Sequence, residues 1–258
     1  MSTINYNTLI SGLAKAGRVD EAIDLYGHMV KRGYPLSPST YGPLIDGLGK
    51  VGRVSEANDF FQEMIENGCR PNCAVYNILM NAFGKVGDVD EACELFKRMV
   101  AEGINPDVKS YTILIDNLCM VDRVDEALHF FVELKSSGLK PDTILYNIII
   151  DGLGKAEKLE EAFKVFEEMK NSDYVPNLFA YNSLIDHLGK VGMMEEAGEI
   201  YAELLSRGYE PNVATYNALI RAFSIAGRVD HAYAIFEEMM ASGCEPNPLT
   251  YSNLPNQF

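Results

Sequence analysis

The sequence predicts an all-α fold, a solenoid of 35-residue helix-turn-helix repeats. Three observations predict it: a tyrosine that returns at a fixed interval, apolar residues spaced for helices, and glycines that punctuate them. The tyrosines stand at Tyr6, Tyr41, Tyr76, Tyr111, Tyr146, Tyr181, Tyr216 and Tyr251, each 35 residues after the last, with no insertion. A constant period of this length marks an architecture in which each unit buries its apolar face by stacking on the next. Complete units fill about 3–37, 38–72, 73–107, 108–142, 143–177, 178–212 and 213–247, and a partial one covers 248–258. Residues 1–258 therefore read as a single array.

Each unit holds two helices. The first carries apolar residues at the tyrosine and three, four and seven places on, as in Tyr216, Leu219, Ile220 and Phe223. That spacing is one face of a helix. A Gly-centred turn ends it, as in LAKAGRVDEA (13–22) and FGKVGDVDEA (83–92). Asp20, Ser55, Asp90, Asp125 and Asp230 are expected to cap the second helix. Its stripe runs through Val19, Ala22, Tyr26 and Met29, with equivalents in every unit. Glycine closes it at Gly33, Gly68, Gly103, Gly138, Gly208 and Gly243, where the position after a helix favours positive φ. Alanine recurs at Ala22, Ala57, Ala92, Ala127, Ala162, Ala197 and Ala232, as expected where two helix backbones approach closely. No strand pattern appears.

Composition sets limits. No run of 18 apolar residues occurs, so no membrane span is expected. Cys69, Cys73, Cys93, Cys119 and Cys244 form no CxxC and no metal-like spacing with the histidines. They read as buried or incidental thiols in a reducing compartment, with a Cys69–Cys73 disulfide possible but unsupported. No Gly-rich phosphate loop, HExxH or deaminase signature is present, so neither an enzyme, a cofactor, a metal nor a small-molecule substrate is expected. The acidic pairs Asp20-Glu21, Asp90-Glu91 and Asp125-Glu126 sit where capping and the helix dipole explain them. Met1-Ser2 runs straight into a repeat without a visible signal or transit peptide, which fits a segment of a longer array. SNLPNQF, with Pro255, departs from the pattern and reads as a natural end.

A 35-residue hairpin carrying Tyr-Asn-x-Leu-Ile, Lys-x-Gly-x-Val-Asp-Glu-Ala, Phe-x-x-Met and Gly-x-x-Pro-Asp/Asn resembles the pentatricopeptide repeat (PPR) family, and within it the P class of uniform units. The resemblance covers the whole chain. The tetratricopeptide repeat fits less well, because the chain has no Trp and its period is 35. The PPR resemblance implies single-stranded RNA as the partner, one repeat per base, in plastids or mitochondria, where binding serves RNA stability, processing or translation. The expected architecture is a monomeric right-handed superhelix of about fourteen helices plus a short last one. The alternative is a helical scaffold that binds protein.

The residue after each tyrosine lies opposite the apolar stripe and is expected to be exposed or to meet a ligand: Asn7, Gly42, Asn77, Thr112, Asn147, Asn182 and Asn217. Asparagine inside a helix costs roughly 0.5 kcal/mol against alanine, which Lys or Glu would avoid. The residue after the inter-repeat proline, or in the second repeat two places after Pro35, is Ser37, Asn72, Asp107, Asp142, Asn177, Asn212 and Asn247. All are good helix N-caps, and their chemistry also differs usefully: a carboxylate only accepts, whereas an amide or hydroxyl also donates. The family's pairing rule then makes Asn7/Ser37 a cytosine reader, Asn77/Asp107 a uracil reader and Thr112/Asp142 a guanine reader. Asn147/Asn177, Asn182/Asn212 and Asn217/Asn247 would take either pyrimidine. Gly42/Asn72 departs from the rule and leaves at most a weak adenine preference. The implied site is 5′-C-(A/N)-U-G-Y-Y-Y-3′.

Residues two places before the tyrosine sandwich bases in the family. Here Ile4, Ala74, Ile144, Phe179, Ala214 and Leu249 match, while Ser39 and Lys109 depart. Net charge is −15, from 22 basic and 37 acidic residues, an unfavourable total for a nucleic-acid binder. Distribution offsets it: Lys15, Lys50, Lys85, Lys155 and Lys190 recur nine places after the tyrosine, on the face of the Asn/Thr positions, and are expected to meet phosphate. The acids Glu94, Glu167, Glu168, Glu199, Glu237 and Glu238 gather in the second helices, although Asp46, Asp116, Asp151 and Asp186 share the first.

Overall fold

The computed structural model describes residues 2–255; Met1 and residues 256–258, the end of SNLPNQF, lie outside the described residues. The described residues form fifteen helices and no strand. In chain order they pair as α1 (Thr3–Lys15) with α2 (Val19–Lys31), α3 (Pro38–Lys50) with α4 (Val54–Glu66), α5 (Cys73–Lys85) with α6 (Val89–Ala101), and α7 (Val108–Met120) with α8 (Val124–Ser136). There follow α9 (Thr143–Lys155) with α10 (Leu159–Lys170), α11 (Leu178–Lys190) with α12 (Met194–Ser206), α13 (Val213–Ile225) with α14 (Val229–Ala241), and the short α15 (Pro248–Asn253).

Two compact units are present, Met1–Lys140 and Pro141–Phe258. In the first, α1, α3, α5 and α7 stack in sequence, and α2, α4 and α6 each bridge from their own partner to the next first helix. In the second unit α9, α11, α13 and α15 stack in the same way, with α10 and α12 as bridges.

Why the hairpins are this tight follows from the backbone. The last turn of each first helix closes with paired bonds, Arg18 N–H to the Leu13 carbonyl (2.9 Å) and Gly17 N–H to the Ala14 carbonyl (3.1 Å). Such a closure needs its penultimate residue in the left-handed region, where a Cβ is strained. Gly17, Gly52, Gly87, Gly192 and Gly227 take it, with φ between 69° and 84°. In the fourth and fifth hairpins Asp122 (φ 61°) and Glu157 (φ 58°) occupy the same place, with the same two bonds.

The second helices start two residues earlier than the sequence predicted. Their N-caps are Arg18, Arg53, Asp88, Arg123, Lys158, Met193 and Arg228, so the expected caps Asp20, Ser55, Asp90, Asp125 and Asp230 lie inside the first turn. Of these caps only Asp88 accepts a side-chain bond, from Glu91 N–H at 3.3 Å. The apolar residue that follows, Val19, Val54, Val89 or Val124, is buried, and burying it fixes the start. The capping arginines instead hold carboxylates. Arg53 meets Glu56 (2.7 Å) and reaches Asp20 of the preceding hairpin (2.6 Å), and Arg123 repeats this with Glu126 and Asp90 (both 2.6 Å).

The core is the predicted stripe. Tyr41, Leu44, Ile45, Ala57, Phe61 and Met64 are fully buried, as are their equivalents Tyr181, Leu184 and Ile185. Second-helix aromatics pack edge-on against the next tyrosine: Phe61 on Tyr76 (5.1 Å), Phe96 on Tyr111 (5.0 Å), Phe166 on Tyr181 (5.1 Å). The tyrosine hydroxyl also has work. Tyr76, Tyr111, Tyr146 and Tyr181 donate to Glu102, Glu133, Glu168 and Glu203 at 2.8–3.1 Å. Burial, aided by the neighbouring carboxylate, pushes Tyr111 and Tyr146 up to about 12. First helices approach most closely at glycine: a Cβ on Gly189 would lie 2.4 Å from that of Ala222.

Glu157→Gly is therefore expected to stabilise the protein by about 1 kcal/mol, since a left-handed non-glycine residue costs about that much. Urea denaturation checks it; an unchanged or lower midpoint would contradict the strain at this turn.

Candidate nucleic-acid interface

Within each unit the candidate pairs are assembled by two consecutive first helices. Ser37, Asn72, Asp107, Asp142, Asn177, Asn212 and Asn247 each stand at the N-cap of a first helix, with extended backbone; Asn72, for example, has φ −109° and ψ 172°. Asn72, Asp107, Asp142, Asn177, Asn212 and Asn247 each accept the N–H three residues on, at 2.8–3.1 Å. At Ser37 the cap is held by its own N–H, which donates to Thr40 Oγ1 at 3.3 Å.

From the preceding helix the residue after tyrosine reaches this cap. Asn77 Nδ2 donates to Asp107 Oδ1 at 3.2 Å, Asn182 Nδ2 to Asn212 Oδ1 at 3.3 Å, and Asn217 Nδ2 to Asn247 Oδ1 at 3.3 Å. Sequence reasoning put these residues on an exposed face. Instead Asn77 is 2% and Asn217 6% exposed, Gly42 is buried, and Asn7, Thr112, Asn147 and Asn182 are half-buried. The next first helix packs over this edge, so the amide lies in a seam and not on open surface.

Asp107 accepts three bonds on Oδ1, from Ser110 N–H (2.8 Å), Ser110 Oγ (2.9 Å) and Asn77 Nδ2. Burial alone would raise its pKa, but these donors hold it below the usual carboxylate range. It is a carboxylate at neutral pH with Oδ2 left to accept. Thr112 turns its hydroxyl onto its own helix, to the Val108 carbonyl at 2.8 Å. At Gly42 no side chain fills the seam, and a cavity of about 250 Å³ opens beside Pro43, Asn72 and Ala74.

Beside these pairs the residues two places before the tyrosine are exposed: Ile4 76%, Ile144 64%, Phe179 53% and Leu249 55%, with Ala74 and Ala214 likewise at the surface. Phe179 is therefore not a core residue. With Asn182, Asn212, Asn217 and Asn247 it lines a groove of about 630 Å³ in the second unit. Within each unit apolar side chains thus lie beside the amides.

The lysine row is less free than its spacing implied. Lys50 pairs with Asp46 (2.5 Å), Lys155 with Asp151 (2.7 Å) and Lys190 with Asp186 (2.9 Å), each one helical turn away. Lys15 and Lys85 have Ser11 and Asn81 at the corresponding place. Arg221, not singled out from the sequence, joins the groove and pairs with Asp186. Asp151 also accepts from Ser183 (3.0 Å) and contacts His187 (3.1 Å); against the effect of burial, these contacts and Lys155 depress its pKa strongly. All five cysteines are free thiols, so Cys69 and Cys73 are not bridged. No helix among the described residues is long and apolar enough to cross a membrane.

With this geometry in hand, comparison decides the family. The PPR repeat family profile matches residues 1–50, 37–85, 71–120, 141–186, 176–225 and 211–258, and a second PPR repeat profile matches 109–139. The chain belongs to the PPR repeat family. Among solved structures it is similar to the pentatricopeptide repeat protein PPR10 from maize, with 28% identity and a TM-score of 0.63 over 98% of this chain and 41% of that one. PPR10 in complex with an 18-nt psaJ RNA element matches at 24% identity and TM-score 0.61, over 100% of this chain and 42% of that one. The PPR domain of Arabidopsis thaliana protein-only RNase P 1, in complex with tRNA, shares the fold at 20% identity and TM-score 0.60, over 74% of this chain and 96% of that domain. Among curated proteins none matches. The chain thus spans about two-fifths of the maize protein's length.

Asp107 supplies a test of this geometry in the protein alone. Its folded pKa is depressed, so the stability it contributes is present above its unfolded pKa of about 3.9 and is lost as pH falls through the folded value. Asp107→Ala should cost about 1 kcal/mol at neutral pH through loss of the cap. Asp107→Asn should keep that stability and blunt the acid loss. Melting curves at pH 7 and below pH 4 check both; equal acid sensitivity in Asn and wild-type proteins would contradict the bonding described.

Proposed function

We propose that the chain binds single-stranded RNA sequence-specifically, one repeat per base, as a binding module and not as an enzyme. The observation that carries this reading is the direct bond between three of the five reading asparagines and the cap of the next repeat, at Asn77/Asp107, Asn182/Asn212 and Asn217/Asn247. Two residues 30 apart in sequence converge on one point per repeat, beside an exposed apolar residue that a base could stack on. Base–aromatic stacking is worth about 1–3 kcal/mol per base, which suits Phe179. PPR10, the maize relative, is solved with RNA.

The proposed site is 5′-C-(A/N)-U-G-Y-Y-Y-3′, read by a single monomeric array of seven repeats. Asp107 as a bare acceptor supports uracil at the third position, through its N3–H. Because three of five row lysines are tied to aspartates, base contacts supply most of the affinity and phosphate contacts little, so non-specific binding is weak. A role in organellar RNA stability, processing or translation, in plastid or mitochondrion, completes the proposal on the strength of the P-class family resemblance.

Selection from randomised RNA tests the reading: it should enrich the proposed site. An array that enriches no sequence and binds no RNA would instead point to a protein-binding scaffold. Thr112→Asn, with Asp142 kept, should move the fourth base from guanine towards uracil by about 1–3 kcal/mol, the scale of one mismatched base in DNA readers. Two oligonucleotides differing at that base give the measurement, and an unchanged preference would refute the pairing rule in this chain.

A further inference from the structure

The residue just before each tyrosine is Thr40, Val75, Ser110, Leu145, Ala180, Thr215 or Thr250 in the second to eighth repeats. Thr40, Ser110, Thr215 and Thr250 are completely buried, an unusual place for hydroxyls. A buried hydroxyl needs partners. Its occurrence follows the preceding repeat. Hydroxyls come after Asn7, Asn77, Asn182 and Asn217, whereas Val75 comes after Gly42 and Leu145 after Thr112. Only Asn147 is followed by a residue without one, Ala180.

Two of these four hydroxyls bond the preceding asparagine directly. Thr40 Oγ1 donates to Asn7 Oδ1 at 2.9 Å, and Thr215 Oγ1 to Asn182 Oδ1 at 2.7 Å. The same hydroxyl accepts the cap's N–H, as Thr215 does from Asn212 at 3.1 Å. With Oδ1 tied inward, Nδ2 of Asn182 gives one proton to Asn212 and keeps one for the groove. Beside Ala180 the counterpart Asn147 Oδ1 is buried with no partner. In the third and seventh repeats the single hydroxyl proton goes to the cap, at Asp107 and Asn247, and Oδ1 of Asn77 and Asn217 is left without a partner.

We propose that Thr40 and Thr215, each just before the tyrosine, are positioning residues for base readout, their hydroxyls fixing which edge of Asn7 and Asn182 faces the RNA. This rests on the RNA-binding reading above. Fifth and sixth repeats are both Asn–Asn readers and differ here as Ala180 and Thr215, so one chain contains its own control. The sixth repeat discriminates pyrimidine from purine more sharply than the fifth.

The test measures affinity of the full chain for oligonucleotides carrying each base opposite the fifth or sixth repeat. Thr215→Val should lower discrimination at the sixth base by about fivefold, the worth of one net hydrogen bond, and Thr215→Ser should retain it. Ala180→Ser should raise discrimination at the fifth base by a similar factor. If Thr215→Val lowers the melting point and weakens all RNAs equally, the hydroxyl is only a capping device and the proposal is overturned. A second readout needs no RNA: NMR exchange of the Asn182 side-chain amide should be slow in the wild type and fast in Thr215→Val. Unchanged exchange overturns the positioning role, whereas loss of RNA binding in the wild type would overturn the RNA reading alone.

Discussion

Everything at the candidate interface depends on how each first helix begins. The first N–H groups of a helix have no partner within it, and a side chain must accept one of them. Here the residue after proline does so in six repeats, and at Asp107, Asn212 and Asn247 the same side chain is also met by an asparagine of the preceding first helix. Capping favours Ser, Asn and Asp at that position, the best of the short polar caps. The small set of residues found at this proposed reading position is therefore set first by helix stability. Within it, the choice between carboxylate and amide changes hydrogen-bond chemistry without changing the fold.

Periodicity made the architecture legible. Steady tyrosines, stripes and glycines gave fifteen helices in the expected order, and glycine at positive φ where it was expected. Less legible were features that depend on neighbouring repeats. The second-helix caps were misplaced because burial of Val19 and its equivalents outweighs the capping preference of Asp20, and the preceding Arg18 is no conventional cap. Asn77 looked exposed because a helical wheel of α5 alone does not include α7 packed beside it. The tyrosine hydroxyl's bond to Glu102 spans 26 residues and has no local signature. A signal for the buried Thr215 did exist: Asn212 followed three residues later by a hydroxyl is a capping pattern.

Charge shows the same limit. Spacing put five lysines on the reading face, yet Asp46, Asp151 and Asp186 one turn earlier claim three of them. Exposed pairs of this kind contribute little to stability. Their larger effect is to mute the positive potential around these lysines, which agrees with the proposed reliance on base contacts.

The central claim is that cap and reader are one residue. Asp107→Asn tests it most directly, because Asn already caps α5, α11 and α13 in this chain. Binding of wild-type and Asp107→Asn proteins to two RNAs differing only as uracil or cytosine at the third base gives the measurement. The account predicts that wild type prefers uracil and that the variant, equally stable, admits cytosine at that base alone. A variant with unchanged preference would contradict it.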